Sequence, residues 1–211
     1  DANSFSAVSQ TVTADMPRLG AGITFAGDGG GSVTNTPTLS FSSTSETSIF
    51  GSLTLVSAMT LSGTQQILFD GRGAHTLNSA GKTFANLIQV RAFGGSFTLQ
   101  DSMSLTGAFF VQNGTFDSNG FDVTVSTFNS PNTPSRTITM GGSTFFLPST
   151  GSCWATSSLG TLTLNVGTST IKYTNSSSSA KSFSGQSLTY YNLWFSPGSG
   201  TGTLSVSGSN T

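Results

Sequence analysis

Lys82-Thr83-Phe84, Asn86-Leu87, Gly94-Gly95 and Ser96-Phe97-Thr98-Leu99 follow one another in an order that the chain repeats near its end. There the order is Lys181-Ser182-Phe183, Asn192-Leu193, a glycine-rich turn and Thr203-Leu204-Ser205-Val206. The elements match while the inserts between them differ in length. A β-solenoid tolerates such inserts, because each coil contacts mainly its neighbours. Around these two stretches run more short β words: Leu53-Thr54-Leu55, Val123-Thr124-Val125, Ile138-Thr139-Met140 and Leu162-Thr163-Leu164. Alternating apolar and polar residues put one face of each word inside. Between them stand turn formers such as Ser62-Gly63, Asp70-Gly71, Gly94-Gly95, Asn113-Gly114, Asn119-Gly120 and Gly141-Gly142, which supply positive-φ positions. The words recur at irregular steps of roughly 10 to 25 residues, which also suits the hairpins of a β-sandwich or jelly roll. The internal echo tips the choice toward an all-β, parallel β-solenoid or β-helix. No stretch carries apolar residues at a helical period over three turns, so almost no helix is expected.

Residues 1–48 have a different texture. Met16-Pro17-Arg18-Leu19-Gly20-Ala21-Gly22 and Gly27-Asp28-Gly29-Gly30-Gly31 break regular structure. Ile23-Thr24-Phe25 and Leu39-Ser40-Phe41 read as isolated short strands. This segment is expected to be an N-terminal cap or docking arm, and residues 49–211 the repeat domain. Thr203 to Gly208 read as the start of another coil. The expectation is a chain that continues past Thr211 or an end covered by a partner, because bare strand edges invite association.

Composition narrows the function. Only 7% of the 211 residues are charged, the formal net charge is −1, and there is one histidine, His75, and one cysteine, Cys153. A catalytic pocket needs several acids, bases and cations together, and few are available here. The seven cations are scattered, whereas nucleic-acid binding requires clustered Lys and Arg. No apolar run approaches the roughly 20 residues of a membrane-spanning helix. Low charge with 17 phenylalanines argues for a folded chain with a narrow core.

The phrase Asn113-Gly114-Thr115-Phe116-Asp117-Ser118-Asn119-Gly120-Phe121-Asp122-Val123-Thr124-Val125 is the most distinctive. With Arg136 to Gly141, Ser169 to Thr174, Lys181 to Gly185 and Tyr191-Asn192-Leu193-Trp194-Phe195, it resembles the Ser/Thr/Gly-rich repeat surface proteins of tailed bacteriophages. Such proteins also occur in uncultured bacterial genomes. The resemblance spans residues 95 to 211 and carries no catalytic signature. It implies a virion structural protein (tail fibre, appendage or head decoration) or a secreted bacterial adhesin. Its location would be the virion or the cell surface. Its partners would be copies of itself, in a trimer or larger array, and other virion or surface proteins.

Four kinds of site chemistry compete with that structural reading. A polysaccharide-degrading solenoid would use paired carboxylates, with Asp101, Asp117 and Asp122 as candidates beside Arg91 and Arg136. Asp at turn edges more often bonds its own backbone. Calcium has only the single Gly27-Asp28-Gly29-Gly30-Gly31 echo, and the one glutamate, Glu46, does not close an EF-hand loop. Thr-x-Thr rows such as Thr137-Ile138-Thr139 and Thr161-Leu162-Thr163 could order ice, but their spacing reads as too irregular to stack in one file. Tyr190, Tyr191 and Trp194 are candidates for contact with a cell-surface glycan. Of the adjacent tyrosines one should face inward and one outward, and the inward one, with Trp194 and Phe195 near it, reads as core. Cys153 reads as buried filler beside Trp154, and His75 as a turn or surface residue. The expectation is a non-enzymatic protein with no cofactor and no metal site.

Overall fold

The computed structural model describes residues 9–15, 18–20, 22–25, 35–42, 46–131, 134–156, 161–196 and 201–208. Among them there is no helix. Every strand pair is parallel. That removes the sandwich alternative, whose hairpins pair antiparallel. The chain winds as a parallel β-solenoid of about seven turns.

Each turn places a short strand on each of three faces. Thr60–Ser62, Ile67–Phe69 and Ala74–Asn78 make one turn. In the next, Thr83–Phe84 lies on the first face, and the long strand Ile88–Leu99 bends across the second and third. Its first half pairs with Ile67–Phe69 and its second half with Ala74–Asn78. Met103–Leu105 with Ala108–Asp117 repeats that plan. The following turns are Val123–Thr124, Thr127–Ser130, Arg136–Thr139 and then Thr144–Leu147, Gly151–Thr156, Leu162–Asn165. Thr170–Tyr173, Lys181–Ser184, Asn192–Phe195 and Leu204–Ser207 extend the first and second faces.

The ladders begin at Thr11, inside the segment expected to be an arm. Thr11–Thr13 pairs with Thr38–Ser40, Arg18–Leu19 with Thr47–Ile49, and Ile23–Thr24 with Leu53–Thr54. The run Gly27 to Gly31 lies outside the described residues.

The alternating words fold this way because the inside is thin and apolar. Phe109, Phe128, Trp154 and Phe183 stack up the second face, and Phe97, Phe116 and Ile138 up the third. All seven are at most 1% exposed. Ring contacts run up the axis: Phe69 to Phe97 at 4.0 Å between centroids, Phe109 to Phe128 at 5.8 Å, and Phe128 to Trp154 at 4.1 Å with planes 17° apart. Cys153 is the extra residue where the pairing shifts between Ser152 and Trp154. A bulge explains why two consecutive side chains, Cys153 and Trp154, both point inward.

The corner from third face to first is a column of tight turns. Hydrogen bonds Lys82 N to Ser79 O, Phe121 N to Ser118 O, Ser143 N to Met140 O and Ser169 N to Val166 O close four of these turns. At Asn119-Gly120 both central residues have positive φ, 52° and 78°, the pairing that Asn-Gly favours. Inside this corner Ser79, Ser118, Ser143 and Ser169 are buried. Ser118 Oγ donates to Met140 O at 2.8 Å, joining one turn to the next.

One buried hydroxyl is out of place. Thr47 is fully buried and its Oγ1 has no hydrogen-bond partner among the described residues. An unsatisfied buried hydroxyl costs about 1–3 kcal/mol, so Thr47→Val should raise stability by about 1 kcal/mol in urea unfolding. An unchanged or lower midpoint would mean that the hydroxyl is satisfied in solution.

Candidate functional site

The three aspartates expected as a carboxylate cluster sit at or beside the turns of the third-to-first corner, and each is engaged by backbone. Asp101 accepts from Ser79 N at 2.7 Å, Ser79 Oγ at 2.8 Å and Gly81 N at 3.1 Å, all one turn below. Asp117 accepts from Asn119 N at 2.7 Å within its own turn. Asp122 accepts from Thr144 N at 2.8 Å, one turn above. The three carboxylates therefore aim at three different turns. Among the described residues no group of three His, Cys, Asp or Glu side chains is placed to hold a metal ion.

Arg91 and Arg136 flank the same corner, between second and third faces, two turns apart, and each is engaged by different partners. Arg91 grips Asp70 with two hydrogen bonds of 2.8 Å and lies 3.8 Å from Glu46. Burial by itself would raise the Asp70 carboxyl. Hydrogen bonds from Arg91 and Ser48 and the charges of Arg91 and Arg18 outweigh it and hold the carboxyl below its ordinary 3.8. A folded-state pKa that is lowered contributes stability above the unfolded value, and that stability is lost as pH falls through the folded value. Wild-type protein should therefore lose more urea resistance between pH 7 and pH 3 than Arg91→Gln does. Equal losses would contradict this role for the pair.

Arg136 is 1% exposed. Its Nε donates to Ser130 Oγ at 2.6 Å, Nη2 to Ser130 O at 2.9 Å and Nη1 to Pro134 O at 3.1 Å. Burial lowers its pKa. Lys181, equally buried, donates to Ser177 O at 2.6 Å and Ser179 O at 2.9 Å. Both cations thus hold surface loops by their carbonyls. Charge–carbonyl anchoring of this kind has no sequence signature.

Cys153 is buried as expected, with its thiol donating to Ser149 O at 3.2 Å, and burial pushes its pKa up. A raised thiol pKa disfavours the reactive thiolate. His75 lies in a strand, opposite Phe97, rather than in a turn. Its imidazole occupies the space that a side chain on Gly71 would need.

The aromatic candidates divide. Tyr190 faces inward: its hydroxyl donates to Gly185 O at 3.2 Å and lies 3.1 Å from Thr156 Oγ1, and its ring meets Trp154 edge to face. It is half-buried, with its hydroxyl engaged by the protein itself. Tyr191 is exposed. Trp194 points outward, in the same outer file as Lys172 and Phe146 on the turns below. The Lys172 ammonium lies 4.2 Å from the Trp194 ring centre.

Two further surfaces were not legible in the sequence. On the third face Ser96, Thr115, Thr137 and Thr163 form one outer file, and Thr98, Asp117, Thr139 and Asn165 form the next. Single hydroxyl side chains therefore stack here, because inserts are absorbed at corners and leave strand register intact, but the Thr-x-Thr rows themselves do not: only Thr137-Ile138-Thr139 supplies both files, and Thr161-Leu162-Thr163 is offset so that Thr163 stands on Thr137. Beside the first file, at the corner of second and third faces, a cleft of about 300 Å³ is lined by Phe93, Gly95, Asn113, Gly114, Ser135 and Thr137 among others.

This geometry defines the molecule as a parallel β-solenoid with a closed aromatic interior and a polar, weakly charged exterior. No family model, curated protein or solved structure matches the chain.

Proposed function

We propose that this chain is a non-enzymatic structural element of an extracellular surface, most concretely a virion fibre, appendage or decoration protein. The observation that carries this reading is the use made of its few ionisable groups. Asp101, Asp117 and Asp122 cap backbone, Asp70 and Arg91 clasp each other across turns, and Arg136 and Lys181 hold loops. Parallel ladders along the stack resist bending, and a near-neutral Ser/Thr surface keeps such a rod soluble. At the last described rung, Leu193 is 38% and Val206 54% exposed, while Ile171 and Phe183 directly below them are 1% exposed.

Immunogold labelling with an antibody to the exposed 175–180 loop tests the location. The expected result is gold on the outside of intact virions or cells from the producing culture. Label found only in the interior of lysed cells would overturn the proposal.

A further inference from the structure

The corner cleft has a definite structural origin. Arg91 pairs with Asn113 and Ser96 with Thr115, so Ala92 to Gly95 on one turn lie opposite Gly114 alone on the next. One turn further up, Ser135, Arg136 and Thr137 line the space above Gly114. That space, over the short corner, is the cleft. The lower wall carries Phe93, 64% exposed, with the Arg72 guanidinium 5.8 Å from its ring centre. The upper wall is held by the three Arg136 hydrogen bonds to Ser130 and Pro134. The floor stays open because Gly114, at φ +77°, has no side chain, and a Cβ there would strike Ala92 O.

We propose that this cleft binds an uncharged pyranose segment of a surface polysaccharide. The assignment stands apart from the structural role and does not depend on it. A sugar ring presents an apolar C–H face and a rim of hydroxyls. Phe93 offers a fixed aromatic face, and Asn113, Thr115, Ser135 and Thr137 offer an amide and hydroxyls around it. The cleft lining includes no carboxylate and one cation, Arg136, which is 1% exposed and whose guanidinium is turned to Ser130 and Pro134 rather than offered to an anionic sugar. Its volume lies at the low end of the roughly 300–1,000 Å³ usual for ligand sites, which fits a short saccharide stretch rather than a large cofactor. The files Ser96–Thr115–Thr137–Thr163 and Thr98–Asp117–Thr139–Asn165 continue from the cleft along the third face and give a longer glycan further polar contacts.

The test is a printed array of neutral oligosaccharides (glucans, galactans, mannans and N-acetylhexosamine oligomers) with uronate oligomers beside them, followed by titration of the best neutral hit. Phe93→Ala should weaken binding about fivefold. Asn113→Ala should weaken it measurably, and Trp194→Ala should leave it unchanged. The Phe93→Ala melting temperature should match wild type, because the ring is mostly exposed. No neutral hit, binding to uronates alone, an unaffected Phe93→Ala variant or a loss in Trp194→Ala would each overturn the assignment.

Discussion

Trp154→Ala should cost about 3–5 kcal/mol of folding stability, the usual range for deleting a large buried aromatic. Trp154 is fully buried. It stacks on Phe128, meets Phe145 edge to face and lies parallel to Phe183 one turn above. Its indole N–H also donates to Tyr190 Oη at 3.4 Å. Removing it opens a cavity shared by successive turns, and ladders on both sides lose their register pin. Trp194→Ala provides the comparison. That ring is 44% exposed and its main partner is Lys172. An exposed cation–π contact is worth about 0.5–1 kcal/mol, so the loss should not exceed about 1 kcal/mol. Urea unfolding of the two variants measures the contrast. Similar losses at both sites would mean that the aromatic column is not what holds the stack together.

Arg136→Met should cost about 3 kcal/mol, since hydrogen bonds to a charged donor contribute about 1.5–3 kcal/mol and each stranded buried acceptor costs about 1–3 kcal/mol. The methionine fills the space but leaves Ser130 O, Ser130 Oγ and Pro134 O without the donors they now have. Ser130 Oγ itself donates to Val111 O one turn below, so the damage should spread to that neighbour. Arg136→Lys should recover only part of the loss, because one ammonium cannot reproduce the planar fork of donors. Hydrogen exchange resolves the location: protection should fall first around residues 127–139. Uniform loss along the whole chain would contradict a local anchoring role.

The fold class was legible in alternation and turn chemistry, although not quite for the reason the echo suggested. Lys82-Thr83-Phe84 opens on the first face, whereas Lys181-Ser182-Phe183 lies on the second. The two stretches are out of phase by one face and are not equivalent coils. What they share is the generic rhythm of strand, corner, strand. Asn119-Gly120 was readable as a turn because its chemistry is local. Gly94-Gly95 and Gly114 were read as turns, but they lie inside the long strands Ile88–Leu99 and Ala108–Asp117. They make corners there, because bending between faces needs positive φ without ending the strand.

The cleft and the hydroxyl files were hidden for a related reason. Both arise from register between turns, and corner inserts obscure that register in the linear sequence. Which way Trp194 faces depends on phase, because inward and outward on a short strand alternate, and phase is fixed by pairing with Thr170–Tyr173. The loop-holding roles of Arg136 and Lys181 depend on carbonyls, and every residue has one.

Cryo-electron microscopy of the native particle or filament that contains the chain tests the structural proposal most directly. The account predicts the three-faced stack built into a virion or surface assembly, with neighbouring chains against its strand edges. A free monomer, with Asp101, Asp117 and Asp122 released from their backbone partners to line one open groove, would contradict it and favour polysaccharide cleavage instead.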